Sequence, residues 1–257
     1  MSFAKHGRAS STRGVKNLNI VVVSPEKFGN TAADIVQRVT ENTEAPNITF
    51  PTGDSPLPLY RELVNRYQHG KLSLANVQAF GLDEWGELEP GHPIRCISRM
   101  KTQLYSETDI PVEQIYYLEP NTDDLDVHCE AYDKRIADMG GLTLSILGIG
   151  INGHIGFNEP GSKATVRTRK IQLADRTLNV SQKYGFDKTP SWGVTLGLAT
   201  LLESKEILIL ATGAHKAEIV HLTVNGPETS DVPSSLMRRH PNCTLLLDEA
   251  AAQLLKK

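Results

Sequence analysis

The 257-residue chain has only three cysteines, Cys96, Cys129 and Cys243, spaced far apart and with no CxxC pair among them. That argues against a disulfide framework or a cysteine-held zinc, and it fits a reducing, cytoplasmic setting. Excess charge of one sign is also missing. The 27 Lys and Arg against 30 Asp and Glu leave a net charge of −3, so neither nucleic acid nor a membrane surface is expected as a partner. No apolar run reaches the roughly 18–20 residues a bilayer-spanning helix needs. Walker and dinucleotide fingerprints are absent, and seven of the histidines (His6, His69, His92, His128, His215, His221, His240) show no metal-ligand spacing. No metal and no cofactor is therefore expected.

What is present is ordinary for a globular protein: 39% hydrophobic and 22% charged residues, with length for one large domain or two small ones. Residues 1–17 differ from the rest. They hold Lys5, Arg8, Arg13 and Lys16 with several serines, no acid and no apolar core. They read as a disordered basic tail, with an organelle presequence as the alternative. Residues 18–257 read as a single α/β domain.

Apolar, β-branched runs predict strands at 18–23, 47–51, 77–82, 142–147, 206–211 and 243–248. Between them, helical spacing predicts helices over 30–41, 57–67, 94–104, 124–139, 191–203, 214–224 and 249–255. Strands alternating with helices predict a doubly wound α/β fold with a mostly parallel central sheet. Residues 161–190 show no strong period and carry several cations, so they read as a lid or binding flap.

One stretch organises the rest. The strand at 142–147 runs into Gly148-Ile149-Gly150-Ile151-Asn152-Gly153-His154-Ile155-Gly156-Phe157-Asn158-Glu159-Pro160. Ligands of open α/β sheets bind at the carboxyl ends of strands. Glycines let a ligand approach the main chain, and histidine is the side chain suited to moving protons near neutral pH. His154 is thus a candidate acid/base, with Glu159 placed to orient or charge its imidazole. Thr52-Gly53-Asp54-Ser55-Pro56 joins a strand to a helix and reads either as an anion-binding helix start or as a plain turn capped by Ser55. Asp83-Glu84 closes the third strand, offering a general base at the same sheet edge or a turn cap beside a solvated acid. Arg176 and Lys216 are candidate anion partners or ordinary surface cations.

Taken together, four segments resemble the glucosamine-6-phosphate deaminase/isomerase family. They are Gly150 to Gly161, Pro51 to Pro56, Leu82-Asp83-Glu84-Trp85 and Thr212 to Ala217, in the family's order. The resemblance runs from about residue 18 to the C-terminus, and the string His154 to Pro160 is its most specific part. It implies a metal-free conversion of an amino-hexose 6-phosphate to a ketohexose 6-phosphate and ammonia. His154 would open the sugar ring with help from Glu159 and Asn152. Asp83 would take the C2 proton to give an enediol-type intermediate. Gly53, Asp54, Ser55, Arg176 and Lys216 would hold the phosphate, and Gly150, Glu84 and Trp85 would complete the sugar site, the aromatic as its floor. Such an enzyme acts on a small molecule; family members range from monomers to hexamers, which leaves a homo-oligomer open.

The sequence departs from the family at several places. Position 152 is Asn where many members have Asp, Asp54 replaces a small uncharged residue, and Trp85 stands where the glucosamine enzymes usually have Tyr. The combination of Asp83-Glu84-Trp85 with Asn152-Gly153-His154 resembles the galactosamine-6-phosphate branch, so the substrate's C4 configuration stays open. Of the serine, arginine and lysine that bind an allosteric N-acetylglucosamine 6-phosphate in some members, Ser162 and Arg169 match, but Ile171, next to Lys170, takes the lysine's place. A non-allosteric enzyme is expected. Two rivals are a sugar-phosphate lactonase, whose glycine–histidine loop lacks Phe157-Asn158-Glu159-Pro160, and a non-enzymatic sugar-phosphate sensor, for which the seventeen leading residues are too few to form a DNA-binding module.

Overall fold

The computed structural model describes residues 18–181, 185 and 190–255; the expected basic tail at 1–17 lies outside them. Strands β1 (Leu18–Val23), β2 (Asn47–Phe50), β3 (Gln78–Gly81), β5 (Ile115–Tyr116), β6 (Leu144–Gly148), β9 (Glu206–Ala211) and β10 (Cys243–Asp248) form one sheet in the order β1-β10-β9-β6-β2-β3-β5. Every pairing in it is parallel.

Parallel sheets of this kind are covered on both faces, and the residues alternate accordingly. In β9, Ile207, Ile209 and Ala211 pack into one core layer while Leu208 and Leu210 pack into the other. The second layer holds the apolar faces of α1 (Pro25–Asn42), α2 (Leu57–Gln68) and α3 (Cys96–Gln103). The first holds those of α4 (Leu125–Asp138), α6 (Leu198–Leu202) and α7 (Ala217–Asn225). Truncating a fully buried leucine such as Leu208 to alanine in either layer costs about 2–5 kcal/mol.

The chain winds outward through β2, β3 and β5, returns to β6, then winds the other way through β9 and β10. The direction reverses between β2 and β6. In an open α/β sheet that reversal leaves a crevice at the carboxyl ends of the two strands. The loop after β2 is Pro51–Pro56 and the loop after β6 is the glycine–histidine loop, so the topology brings these two segments together.

A second sheet was not anticipated. Strands β4 (Asp83–Trp85), β8 (Trp192–Thr195) and β7 (Arg169–Gln172) pair antiparallel in the order β4-β8-β7. Asp83 therefore does not end the third strand but opens a new one. Residues 191–203, expected as one helix, are β8 followed by α6, because Trp192-Gly193-Val194-Thr195 is aromatic and β-branched and Gly197 breaks the run. A Cβ at Gly197 would meet the Val166 carbonyl oxygen at 2.1 Å, so only glycine lets the chain pass there. The described part of 161–190 is likewise built rather than loose: it contributes β7 and α5 (Asp175–Ser181). Residues 249–255 form turns instead of a helix.

Candidate active site

The crevice at the strand reversal is a cavity of about 470 Å³. The β2 loop lines it with Thr52, Gly53, Asp54 and Ser55, β4 with Asp83 and Trp85, and the β6 loop with Gly150, His154, Gly156 and Phe157. Arg176 and Thr177 reach it from α5, and Thr212, His215 and Lys216 from the loop after β9. Nearly all the residues singled out from sequence meet here. Among them, Glu84, Asn152 and Glu159 do not line the cavity; each stands behind a residue that does.

Glu84 is the clearest departure from expectation. It was read as a substrate contact, but its side chain is 1% exposed and turned away from the cavity. Its carboxylate accepts from the backbone N–H of Cys96 at 2.8 Å and of Ile97 at 3.1 Å, and pairs with the Arg95 guanidinium at 3.4 Å. It thus caps the N-terminus of α3, where unpaired N–H groups and the positive dipole end attract an anion. Successive side chains of a strand point to opposite sides, so a buried Glu84 aims its neighbour Asp83 at the cavity.

Asp83 is half-buried there, and its carboxyl is pushed up to about 7. Burial does most of this, the neighbouring Glu84 carboxylate adds to it, and the Cys96 thiol and Arg99 guanidinium oppose it. A carboxylic acid titrating near neutrality can both take and return a proton at physiological pH.

Across the cavity, the His154 ring depends on glycine. A Cβ at Gly150 would sit 2.3 Å from His154 Nε2, so the imidazole lies flat against bare backbone. Its Nδ1 is 3.4 Å from Glu159 Oε2 and 3.2 Å from Thr177 Oγ1. A carboxylate at Nδ1 favours the proton on that nitrogen and leaves Nε2 for chemistry in the cavity. Burial draws the Glu159 carboxyl upward, but His154, Thr177 and Asn152 outweigh it and hold it below the ordinary carboxylate range. Asn152 donates from Nδ2 to Glu159 Oε2 at 2.8 Å and accepts the His154 backbone N–H at 3.2 Å. It therefore touches the main chain of His154 and the carboxylate behind the ring.

Two cations, Arg176 and Lys216, also border the cavity, together with Asp54. Lys216 donates to the Ile149 carbonyl oxygen at 2.6 Å, which ties the β9 loop to the β6 loop while the ammonium borders the cavity. Ser55 does not cap α2 as expected; the helix makes no side-chain cap bond, and Ser55 Oγ lies 3.3 Å from Thr212 Oγ1. Asp248, at the end of β10, accepts the Gly213 N–H at 2.9 Å and so fixes the turn that carries His215 and Lys216.

Trp85 packs against Phe157, with ring centroids 4.6 Å apart and the planes tilted by 57°, and together they form one apolar wall. Gly193 on β8 is required behind them, since a Cβ there would meet the Phe157 ring at 2.6 Å. Reading the sequence missed Thr177, His215 and Cys96. Thr177 had no motif around it, His215 lay inside the Thr212–Ala217 segment but was given no role, and Cys96 is visible only through its contact with Asp83. Among the described residues no group of three or more His, Cys, Asp or Glu could hold a metal.

Comparison with known proteins places the chain in a family. Residues 25–246 match the family described as glucosamine-6-phosphate isomerases/6-phosphogluconolactonase. A glucosamine-6-phosphate deaminase of Rhodopirellula baltica is 36% identical over 249 residues, covering 95% of this chain and 98% of that protein. One from Thermoanaerobacter pseudethanolicus is 33% identical over 238 residues, covering 92% and 94%. Among solved structures, a monomeric glucosamine-6-phosphate deaminase superposes with a TM-score of 0.88 at 31% identity, covering 93% of this chain and 99% of that one. The 6-phosphogluconolactonase of Thermotoga maritima superposes with a TM-score of 0.73 at 18% identity, covering 91% of this chain and all of that one, a likeness of fold alone. With a profile match across most of its length and relatives above 30% identity over nearly the whole chain, this protein belongs to the glucosamine-6-phosphate isomerase/6-phosphogluconolactonase family.

Proposed function

We propose that the protein is an amino-sugar-phosphate deaminase that converts glucosamine 6-phosphate and water to fructose 6-phosphate and ammonia. The observation that carries this reading is the pairing, in one cavity, of a carboxyl group pushed up to about 7 with a histidine backed by a carboxylate. A lactonase has to activate water at an ester and needs no base at C2. Here the base and the acid/base histidine line one cavity, with Arg176 and Lys216 on its border to hold a phosphate.

In this reading His154 moves a proton between the ring oxygen and the C1 hydroxyl, opening the sugar to its aldehyde. Glu159 stabilises the imidazolium that forms, and Asn152 and Thr177 hold that pair in place. Asp83 then takes the proton from C2, which the C1 carbonyl acidifies, while O1 takes up a proton and becomes a hydroxyl. Asp83 returns its proton to C1, the C2 amine gives up the matching proton as it becomes an imine, and water hydrolyses the imine to the ketone and ammonia. Lys216, Arg176 and the Gly53–Ser55 turn hold the phosphate, and the Trp85–Phe157 wall carries the apolar face of the sugar. No step calls for a metal or a redox cofactor.

The testing experiment measures ammonia release from glucosamine 6-phosphate and galactosamine 6-phosphate in parallel, since Trp85 leaves the C4 epimer as the rival substrate. Turnover of the glucosamine compound is expected to be the faster of the two. Faster turnover of the galactosamine compound reassigns the substrate, and release from neither overturns the function. A sensor of the same fold would bind both and release nothing.

A further inference from the structure

Cys96 opens α3 directly beside Asp83. Its Sγ lies 3.6 Å from Asp83 Oδ1 and 3.5 Å from Thr52 Oγ1, both within the reach of sulfur hydrogen bonds. With Asp83 ionised, the carboxylate can only accept, so the thiol hydrogen points at Oδ1 and the Thr52 hydroxyl donates to the sulfur. The Glu84 carboxylate fixes this arrangement by holding the backbone N–H of Cys96 itself.

We propose that Cys96 is a positioning residue for Asp83, its S–H holding the carboxylate in the orientation that meets the substrate. The proposal rests on Asp83 acting as the base. Among the described residues Glu84 neighbours Asp83 on β4, Cys96 and Arg99 face it from α3 and Tyr60 from α2, while Asp54, His154, Arg176, His215 and Lys216 border the same cavity. Burial and Glu84 disfavour the ionised form; Arg99 and Cys96 favour it. The Tyr60 hydroxyl is held in its neutral form and donates to the Pro51 carbonyl oxygen, so it is spent elsewhere. The thiol is itself kept protonated, because burial and the Glu84 and Asp83 carboxylates push it well above the ordinary thiol range. It is therefore a neutral donor across the neutral pH range in which Asp83 titrates. The competing role is apolar filler, since Cys96 also packs with Trp85, Leu88, Phe157 and Leu173.

Two variants separate these roles through the pH profile of kcat/KM on glucosamine 6-phosphate, with Asp83→Asn alongside. If the thiol supports ionised Asp83, Cys96→Ala destabilises the carboxylate and moves the acid limb up by about half a pH unit. It should also lower kcat several-fold with little change in KM, while Cys96→Ser, which keeps a donor, holds the limb at the wild-type position. If Cys96 is filler, alanine leaves the limb in place, or serine, burying a new hydroxyl, is the worse of the two; either result overturns the proposal. An equal limb shift in both variants also overturns it, because donation is then irrelevant. Loss of ammonia release in Asp83→Asn with an unmoved limb in Cys96→Ala sinks this inference and leaves the function standing, whereas full turnover in Asp83→Asn removes both.

Discussion

Asn152 donates its side-chain amide to Glu159 Oε2 at 2.8 Å, so the residue that departs from many relatives acts on the carboxylate behind His154 and not on the imidazole. A neutral amide there leaves Glu159 as the single negative charge against the ring. An aspartate in its place would set two carboxylates in contact, and like charges so close share a proton or raise each other's pKa. Asn152→Asp should therefore lower kcat/KM on glucosamine 6-phosphate several-fold, because the amide donor that holds Glu159 is replaced by a like charge. An unchanged kcat/KM in that variant contradicts this account of the loop.

Lys216 and Arg176 should differ in what their loss does. Each borders the cavity, but among the described residues only Lys216 also ties two loops together through the Ile149 carbonyl. A charge-assisted hydrogen bond to phosphate is worth about 1.5–3 kcal/mol, or roughly a 10- to 100-fold rise in KM when lost. Arg176→Ala should raise KM and leave the melting temperature unchanged, whereas Lys216→Met should raise KM and lower the melting temperature. Assaying glucosamine without its phosphate is the control: there both variants should match the wild type.

Kinetics should be hyperbolic and indifferent to N-acetylglucosamine 6-phosphate. Arg169 donates to Asn158 Oδ1 at 2.8 Å and to Ser162 Oγ at 3.0 Å, so the two residues matching an effector site are already partnered. Ile171, in place of a lysine, packs on the Trp85–Phe157 wall. Sigmoidal rates that the effector straightens would show that a second phosphate site exists despite the missing cation.

Keeping Asp83 ready has a cost in stability whose sign can be worked out. Its folded-state pKa near 7 lies above the 3.8 of an ordinary aspartate, so the native state holds a proton that the unfolded chain has released. Stability therefore falls as pH rises between those two values. Asp83→Asn removes this penalty. It should melt above the wild type at pH 8, by about 2–4 °C for each kcal/mol relieved in a chain of this size, and close to it at pH 4. Equal melting temperatures at both pH values would mean the carboxyl titrates normally.

The sequence made some of this legible and hid the rest for physical reasons. The six apolar runs all lie in the main sheet, five of them largely buried and the edge strand β1 half-exposed, and such continuous apolar strands signal themselves. β5 is two residues long and half-buried, too short for any period. The small antiparallel sheet was lost because β4 follows β3 after a single residue and because Trp192 to Leu202 carries a strand and a helix within eleven residues. At the site, His154, Glu159 and Asp83 were found through glycine-rich and acidic motifs. Adjacent carboxylates could not be told apart by type: only the capping of α3 by Glu84 decides which one faces the cavity. Cys96 carried no signal, since its contact with Asp83 comes from packing across thirteen residues of chain.

The most direct test follows glucosamine 6-phosphate labelled with deuterium at C2. The wild type should lose the label to solvent, or pass it to C1, as it releases ammonia. Asp83→Asn should do neither while still binding the substrate. Loss of the C2 label at an undiminished rate in Asp83→Asn would contradict the assignment of Asp83 as the base.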